Sequence, residues 1–217
     1  MEAESVAVGS PPRLAAALRL MVITDGALAH PRTVLDVVRE ALAGGATAVQ
    51  LRNKGDSARD LLRLGDALRE TTREAGRLLI VNDRVDIALA IGADGVHLGP
   101  RDITVPVVRQ MVPREFIIGS SADDPAVARA LVAQGADYIG CGTIFPTTTK
   151  RDAGDVVGID GLRRMVDSVP VPVVAIGGIT PARAPQVRAT GVAGIAVVGA
   201  VMAATDPRVA SRRLVGE

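Results

Sequence analysis

Cationic and amide side chains alternate in Gln50-Leu51-Arg52-Asn53-Lys54. If this is a strand end, a repeat of two turns Gln50, Arg52 and Lys54 to one side, a surface suited to a multiply charged anion. A basic strand end that merely meets water is the alternative. Further on come Asn82-Asp83 and then His97-Leu98-Gly99-Pro100-Arg101-Asp102. Two carboxylates, Asp83 and Asp102, on loops facing a basic segment suit Mg²⁺ shared with a diphosphate better than a cage built wholly from protein. Asp102 could instead cap a helix starting near Ile103. His97 could orient a substrate or a loop, or be a satisfied structural histidine. Ser120 and Ser121 offer hydroxyls. From Thr143 to Val157 there is little helical periodicity, so Thr147, Thr148, Thr149 and Lys150 fall in a long polar loop of the kind that often covers a site.

Two glycine-bearing segments could hold a second anion. Ile176-Gly177-Gly178-Ile179-Thr180-Pro181 and Val197-Val198-Gly199-Ala200 each follow an apolar run. Glycine lets backbone N–H groups approach a phosphate, and a helix start behind them adds its positive dipole end. Tight turns are the alternative for either segment alone.

These groups converge only if the chain positions them. Eight short apolar runs are predicted as strands: Leu20 to Thr24, Ala48 to Leu51, Leu78 to Val81, Gly95 to Leu98, Phe116 to Gly119, Tyr138 to Gly142, Val173 to Ile176 and Ile195 to Val198. Helical stretches separate them. Ser57 to Ala75 places Leu61, Leu62, Leu64 and Leu68 near one face and Arg59, Asp60, Arg63, Arg69 and Glu70 largely on the other. Asp124-Pro125 and Thr180-Pro181 read as caps with proline opening a helix. Gly44-Gly45-Ala46, Gly92-Ala93-Asp94, Gly135-Ala136-Asp137 and Gly191-Val192-Ala193 mark helix exits into strands. Such alternation predicts a single-domain α/β (β/α)8 TIM barrel over 14–217 behind a loose tail of 1–13, with an open doubly wound sheet as the alternative. In a barrel, chemistry belongs at the strand C-termini, where all the groups above would lie.

Composition agrees. A chain of 217 residues suits one barrel better than two small domains. Its 48% hydrophobic share includes only Phe116, Tyr138 and Phe145 as aromatics, so the core must be aliphatic. Twenty-five Lys and Arg against 24 Asp and Glu give no global field for nucleic acid or an acidic membrane. Lone Cys141 excludes an internal disulfide framework and is expected as buried filling. MEAESVAVGSPPR lacks a basic start followed by a long apolar run, so the expected location is cytoplasmic. A homo-oligomer is left open.

The ordered segments Gln50 to Lys54, Val81-Asn82-Asp83-Arg84, His97 to Asp102, Pro146-Thr147-Thr148-Thr149-Lys150 and Ile176 to Ile179 resemble the thiamine phosphate synthase family, over nearly the whole chain after the tail. The resemblance implies joining a hydroxymethylpyrimidine diphosphate to a thiazole phosphate, giving thiamine phosphate and diphosphate, with Mg²⁺. By motif, Gln50, Leu51, Arg52, Asn53, Lys54, Asn82, Ser121 and Lys150 would hold the pyrimidine diphosphate, with Arg52, Lys54, Ser121 and Lys150 closest to the chemistry. Asp83 and Asp102 would be the Mg²⁺ carboxylates. Thr147, Thr148 and Thr149 would meet the thiazole partner, and Gly178, Val198 and Gly199 its phosphate. The family often has Ser where this chain has Gly199 and Pro where it has Thr143, and the first departure bears on phosphate affinity. A thiazole tautomerase of the same superfamily and a non-catalytic phosphate-metabolite sensor are the competing expectations.

Overall fold

A computed structural model describes residues 11–52, 55–147 and 155–216. In chain order the elements are α1 (Pro11–Ala17), β1 (Leu20–Ile23), α2 (Gly26–Ala29), α3 (Val34–Ala43), β2 (Ala48–Leu51), α4 (Ala58–Glu74), β3 (Leu78–Asn82), α5 (Val85–Ala90) and β4 (Gly95–Leu98). There follow α6 (Val105–Met111), β5 (Ile117–Ser121), α7 (Pro125–Ala133), β6 (Tyr138–Cys141), α8 (Gly158–Ser168), β7 (Val173–Ile176), α9 (Ala184–Arg188), β8 (Gly194–Val197), α10 (Gly199–Met202) and α11 (Pro207–Val215). The strands close into a parallel barrel in sequence order, and β1 seals it against β8 with Leu20 opposite Ile195 and Val22 opposite Val197. This is the (β/α)8 barrel, not the open sheet.

Period-two alternation sorts the strand residues into two cores. Leu20, Val22, Val49, Leu79, Val81, Val96 and Ile118 face outward and pack against the helices. Met21, Ile23, Ala48, Ile80, Ile117, Tyr138, Val174 and Ala196 fill the lumen. Leu14 and Leu18, from α1 and the residue after it, pack with the lumen cluster. Gly194 leaves room for this approach, since a Cβ there would lie 1.9 Å from the Leu18 carbonyl oxygen. Helix α1 therefore begins inside the expected tail, whose residues 1–10 lie outside the described ones.

Local chemistry sets the helix starts. Ser57 caps α4, its hydroxyl accepting from Asp60 N–H at 3.2 Å and donating to the Asp60 carboxylate at 2.7 Å. Leu61 and Leu68 are buried on the inner face, while Leu62 and Leu64 pack half-buried beside them. Asp124 caps α7 as expected, accepting from Ala126 and Val127. Thr180-Pro181 does not: the Thr180 carbonyl accepts from Arg183 and Ala184 in a turn, and α9 begins only at Ala184, with Pro185 supplying the proline of its first turn. Asp102 is not a cap either, since Thr104 occupies the position before α6.

Candidate active site

Two strands run further than expected. Asn82 and Ser121 are the last residues of β3 and β5, so both polar groups stand on the rigid sheet. Arg52 follows β2 directly, and its backbone is pinned from the neighbouring strand. The Thr24 hydroxyl accepts from Arg52 N–H at 2.9 Å and donates to the Arg52 carbonyl at 3.0 Å. Thr24 is buried, and its role was not visible in the sequence, where it read only as the end of a strand.

Asp83 carries φ of 55°, the left-handed region otherwise occupied by glycines among the described residues. That turn sets its carboxylate beside Asn82, whose amide donates to it at 2.9 Å. Burial pushes the Asp83 carboxyl up from its ordinary range, and the negative charge of Asp102 pushes it further. Arg84, the Asn82 hydrogen bond and Arg52 act the other way. The Arg84 guanidinium is itself committed to Asp86, at 2.5 and 2.8 Å. Asp102 is held by its own loop, accepting from Gly99 N–H at 2.6 Å. Asp83 thus lies close enough to feel the charges of both Asp102 and Arg52.

Gln50 points into the lumen beneath this cluster. It is buried, and its amide N–H meets the thioether of Met21 at 3.4 Å, a weak acceptor. Alternation sends the Leu51 side chain outward into the core beneath α4, 1% exposed. Only its backbone can face a ligand. Asn53, Lys54, Thr148, Thr149 and Lys150 lie outside the described residues.

Across the barrel, the loop after β6 runs alongside the loop after β7. Ile144 N–H donates to the Ile176 carbonyl and Phe145 N–H to that of Gly177, at 3.0 and 3.1 Å. A Cβ on Gly177 would lie 2.8 Å from Thr143 Cα, and one on Gly178 would lie 2.7 Å from the Phe145 carbonyl oxygen. Both glycines have positive φ, 103° and 62°. They are required by close packing as well as by any anion. Arg183 seals the seam, donating to the Gly178 carbonyl at 2.8 Å with its guanidinium 4.7 Å from the centre of the Phe145 ring. Thr147 lies at the end of this seam. Val198 and Gly199 stand at the start of α10, both half-buried. With only four residues, α10 offers the N–H groups of its first turn rather than a long dipole.

His97 stands between the two halves. Its Nδ1 lies 3.0 Å from the Tyr138 hydroxyl and its Nε2 lies 2.9 Å from the Ser121 hydroxyl. Cys141 is fully buried filling, its thiol pushed up to about 12 by burial and then by the charge of Asp123, so it is no nucleophile.

Fold and mouth together define a (β/α)8 barrel enzyme with its polar groups at the strand C-termini. A family model described as thiamine monophosphate synthase matches residues 20–201. The thiamine-phosphate synthase of Moorella thermoacetica is 49% identical over 195 residues, covering 90% of this chain and 93% of that protein. The corresponding protein of Pyrococcus furiosus is 49% identical over 197 residues, covering 91% and 93%. A solved structure of thiamine phosphate pyrophosphorylase from Pyrococcus furiosus superposes with a TM-score of 0.85 at 47% identity, covering 93% of this chain and 95% of that one. A 3-hexulose-6-phosphate synthase structure, 16% identical with a TM-score of 0.66, shares the barrel alone. The chain belongs to the thiamine monophosphate synthase family.

Proposed function

We propose that the chain is a thiamine phosphate synthase, a transferase that joins 4-amino-2-methyl-5-hydroxymethylpyrimidine diphosphate to a thiazole phosphate and releases diphosphate. The observation that carries this reading is the grouping of Arg52 and Asp83 just after β2 and β3 with Asp102 in the loop after β4, opposite the glycine seam between the loops after β6 and β7. One side suits a diphosphate with a cation, and the other suits a single phosphate. A tautomerase acting on the thiazole phosphate alone would have no use for the first half.

The residues fit Mg²⁺. Among the described residues no group of three His, Cys, Asp or Glu could hold a metal by itself. Mg²⁺ commonly takes one or two carboxylates and completes its shell with substrate phosphates and water. A half-buried Asp83 that suffers both burial and the charge of Asp102 is a site that gains when a cation arrives. Bound there, the ion would neutralise charge developing on the departing diphosphate.

Arg52 would bind the same leaving group, with Lys54 and Lys150 as further cations by family pattern, and Ser121 would donate to it. Gln50, Asn82 and Asn53 would orient the pyrimidine end, and the Gln50 amide, now against a thioether, has hydrogen-bonding capacity to give. Gly178, Val198 and Gly199 would offer backbone donors to the thiazole phosphate, with Thr147, Thr148 and Thr149 beside its ring. The C–O bond to diphosphate would break early, leaving positive charge that the pyrimidine amino group spreads, and the thiazole nitrogen would attack the exposed carbon. Such a path asks for anion binding and positioning rather than a protein nucleophile. The lone buried Cys141 supports a cytoplasmic setting.

The test is a coupled assay with both substrates and Mg²⁺. Thiamine phosphate should appear with stoichiometric diphosphate. Thiazole phosphate binding without product would return the reading to a tautomerase or a sensor.

A further inference from the structure

The lumen row formed by Asn82, His97, Gly119 and Tyr138 is in hydrogen-bonding register across β3 to β6. Gly119 lies between His97 and Tyr138, and the missing side chain is what lets them meet. A Cβ there would fall 2.0 Å from the Tyr138 ring, and a Cβ on Gly140 would fall 2.8 Å from the His97 ring. The two rings sit 5.5 Å apart. One row higher, Ser121 pairs with Gly140, so His97 reaches sideways to Tyr138 and upward to Ser121.

Satisfying Tyr138 decides where the protons sit. Its side chain is 1% exposed, and burial raises its pKa, so the phenol keeps its proton. Among the described residues its hydroxyl has one hydrogen-bond partner, His97 Nδ1. If Nδ1 carried a proton, the Tyr138 O–H would be a buried donor without an acceptor, at a cost of about 1–3 kcal/mol. Tyr138 therefore donates to Nδ1, and the neutral imidazole carries its proton on Nε2. Nε2–H then donates to Ser121 Oγ, and the Ser121 proton must point elsewhere. Ser121 is half-buried at the end of β5, facing the mouth.

We propose that His97 and Tyr138 are positioning residues that fix the Ser121 hydroxyl as a donor toward the diphosphate of the pyrimidine substrate. This rests on the synthase reading above. Without Tyr138 on Nδ1, His97 could carry its proton there instead, and the Ser121 hydroxyl could then turn its own proton onto the bare Nε2 and present only lone pairs to an anion, the wrong polarity.

The tautomer can be read without turnover. The chain has two histidines, so long-range ¹H–¹⁵N spectra of the full-length protein show two imidazoles, and His30→Gln identifies which is which. Near pH 8, His97 should be protonated on Nε2, and protonation on Nδ1 would overturn the proposal. In turnover, Tyr138→Phe should lower kcat/KM for the pyrimidine diphosphate about tenfold, as for loss of ~1.4 kcal/mol. KM for the thiazole phosphate should not move. In a Ser121→Ala background the same change should cost less than twofold, because its effect passes through that hydroxyl. Equal losses in both backgrounds would make the pair ordinary core. His97→Gln, which keeps an N–H near the Nε2 position, should retain more activity than His97→Ala; equal losses would count against the proposal. An inactive parent protein would overturn the synthase reading instead. The pair is then decided by the tautomer and by inorganic diphosphate with Mg²⁺, whose affinity Tyr138→Phe should lower and a purely structural role would leave alone.

Discussion

The two ends of the barrel use the same residue type in opposite ways. At the N-terminal end, Asp94 and Asp137 enter β4 and β6 from equivalent Gly-Ala-Asp turns. Asp94 accepts from Leu79 N–H at 2.7 Å and pairs with Arg69 at 2.8 Å. Asp137 accepts from Ile118 N–H at 2.7 Å and pairs with Arg109 at 2.5 Å. Thr47 does a similar service for Leu20 N–H at 3.0 Å. Each ties the start of one strand to the next, and the charges of Asp94 and Asp137 are answered by Arg69 and Arg109. At the C-terminal end, Asp83 and Asp102 repel each other, and burial disfavours the Asp83 charge. Charge satisfied internally holds the barrel closed, whereas the disfavoured Asp83 charge at the mouth is the kind of perturbation that clusters at functional sites.

If that division is right, substitutions at the two ends should damage different observables. The largest effect belongs at the mouth. Asp102→Ala should lower turnover at fixed Mg²⁺ by about a hundredfold or more, the scale of losing one element of transition-state charge stabilisation. Thiazole phosphate affinity should stay within about twofold, because its expected site lies across the barrel. An unchanged Mg²⁺ dependence would reduce Asp102 to a residue that closes its own loop through Gly99.

The reverse experiment is at the other end. Asp137→Ala removes the acceptor of Ile118 N–H and the ion partner of Arg109. Arg109 keeps its bonds to the carbonyls of Phe116 and Gly135, at 2.9 and 2.8 Å. The loss should therefore be about 1–3 kcal/mol of stability, seen as a lower Tm. Values of kcat/KM measured well below that Tm should stay near the parent. A large loss of activity in the folded variant would break the separation of the two ends.

What the sequence disclosed follows the same division. The barrel was legible because Val, Ile and Leu runs and the Gly-bearing helix exits repeat along the chain, and each such signal is local. Arg52, Asp83 and Asp102 could be placed near one another from the rule that loops after barrel strands share one face. Thr24 and Tyr138 could not be assigned roles, because their partners are 28 and 41 residues away and meet only through the closed register. Leu51 was placed in the site by its position within a motif, and since alternation turns its side chain to the helices, only its backbone could serve there. Thr180-Pro181 has the letters of a helix cap, but the packing of Gly177 and Gly178 against the β6 loop is followed by a turn, and the helix starts later.

The smallest effect tests the charge imbalance directly. The folded-state pKa of Asp83 is raised, so its folded form binds the proton more tightly than the unfolded chain does. Its stabilising contribution is complete below the ordinary carboxylate pKa of 3.8 and is lost as pH rises through the folded value. At neutral pH the ionised group therefore works against folding. Asp83→Asn keeps a residue type tolerant of the left-handed turn at φ of 55° while removing the charge. The variant should melt slightly above the parent near neutral pH without Mg²⁺, and the two curves should converge on acidification. Adding Mg²⁺ with diphosphate should reverse the order, because only the parent gains a bound cation there. If Asp83→Asn melts below the parent at neutral pH without ligand, the mouth carboxylate is serving the fold as Asp94 and Asp137 do, and the contrast between the two ends fails at its most sensitive point.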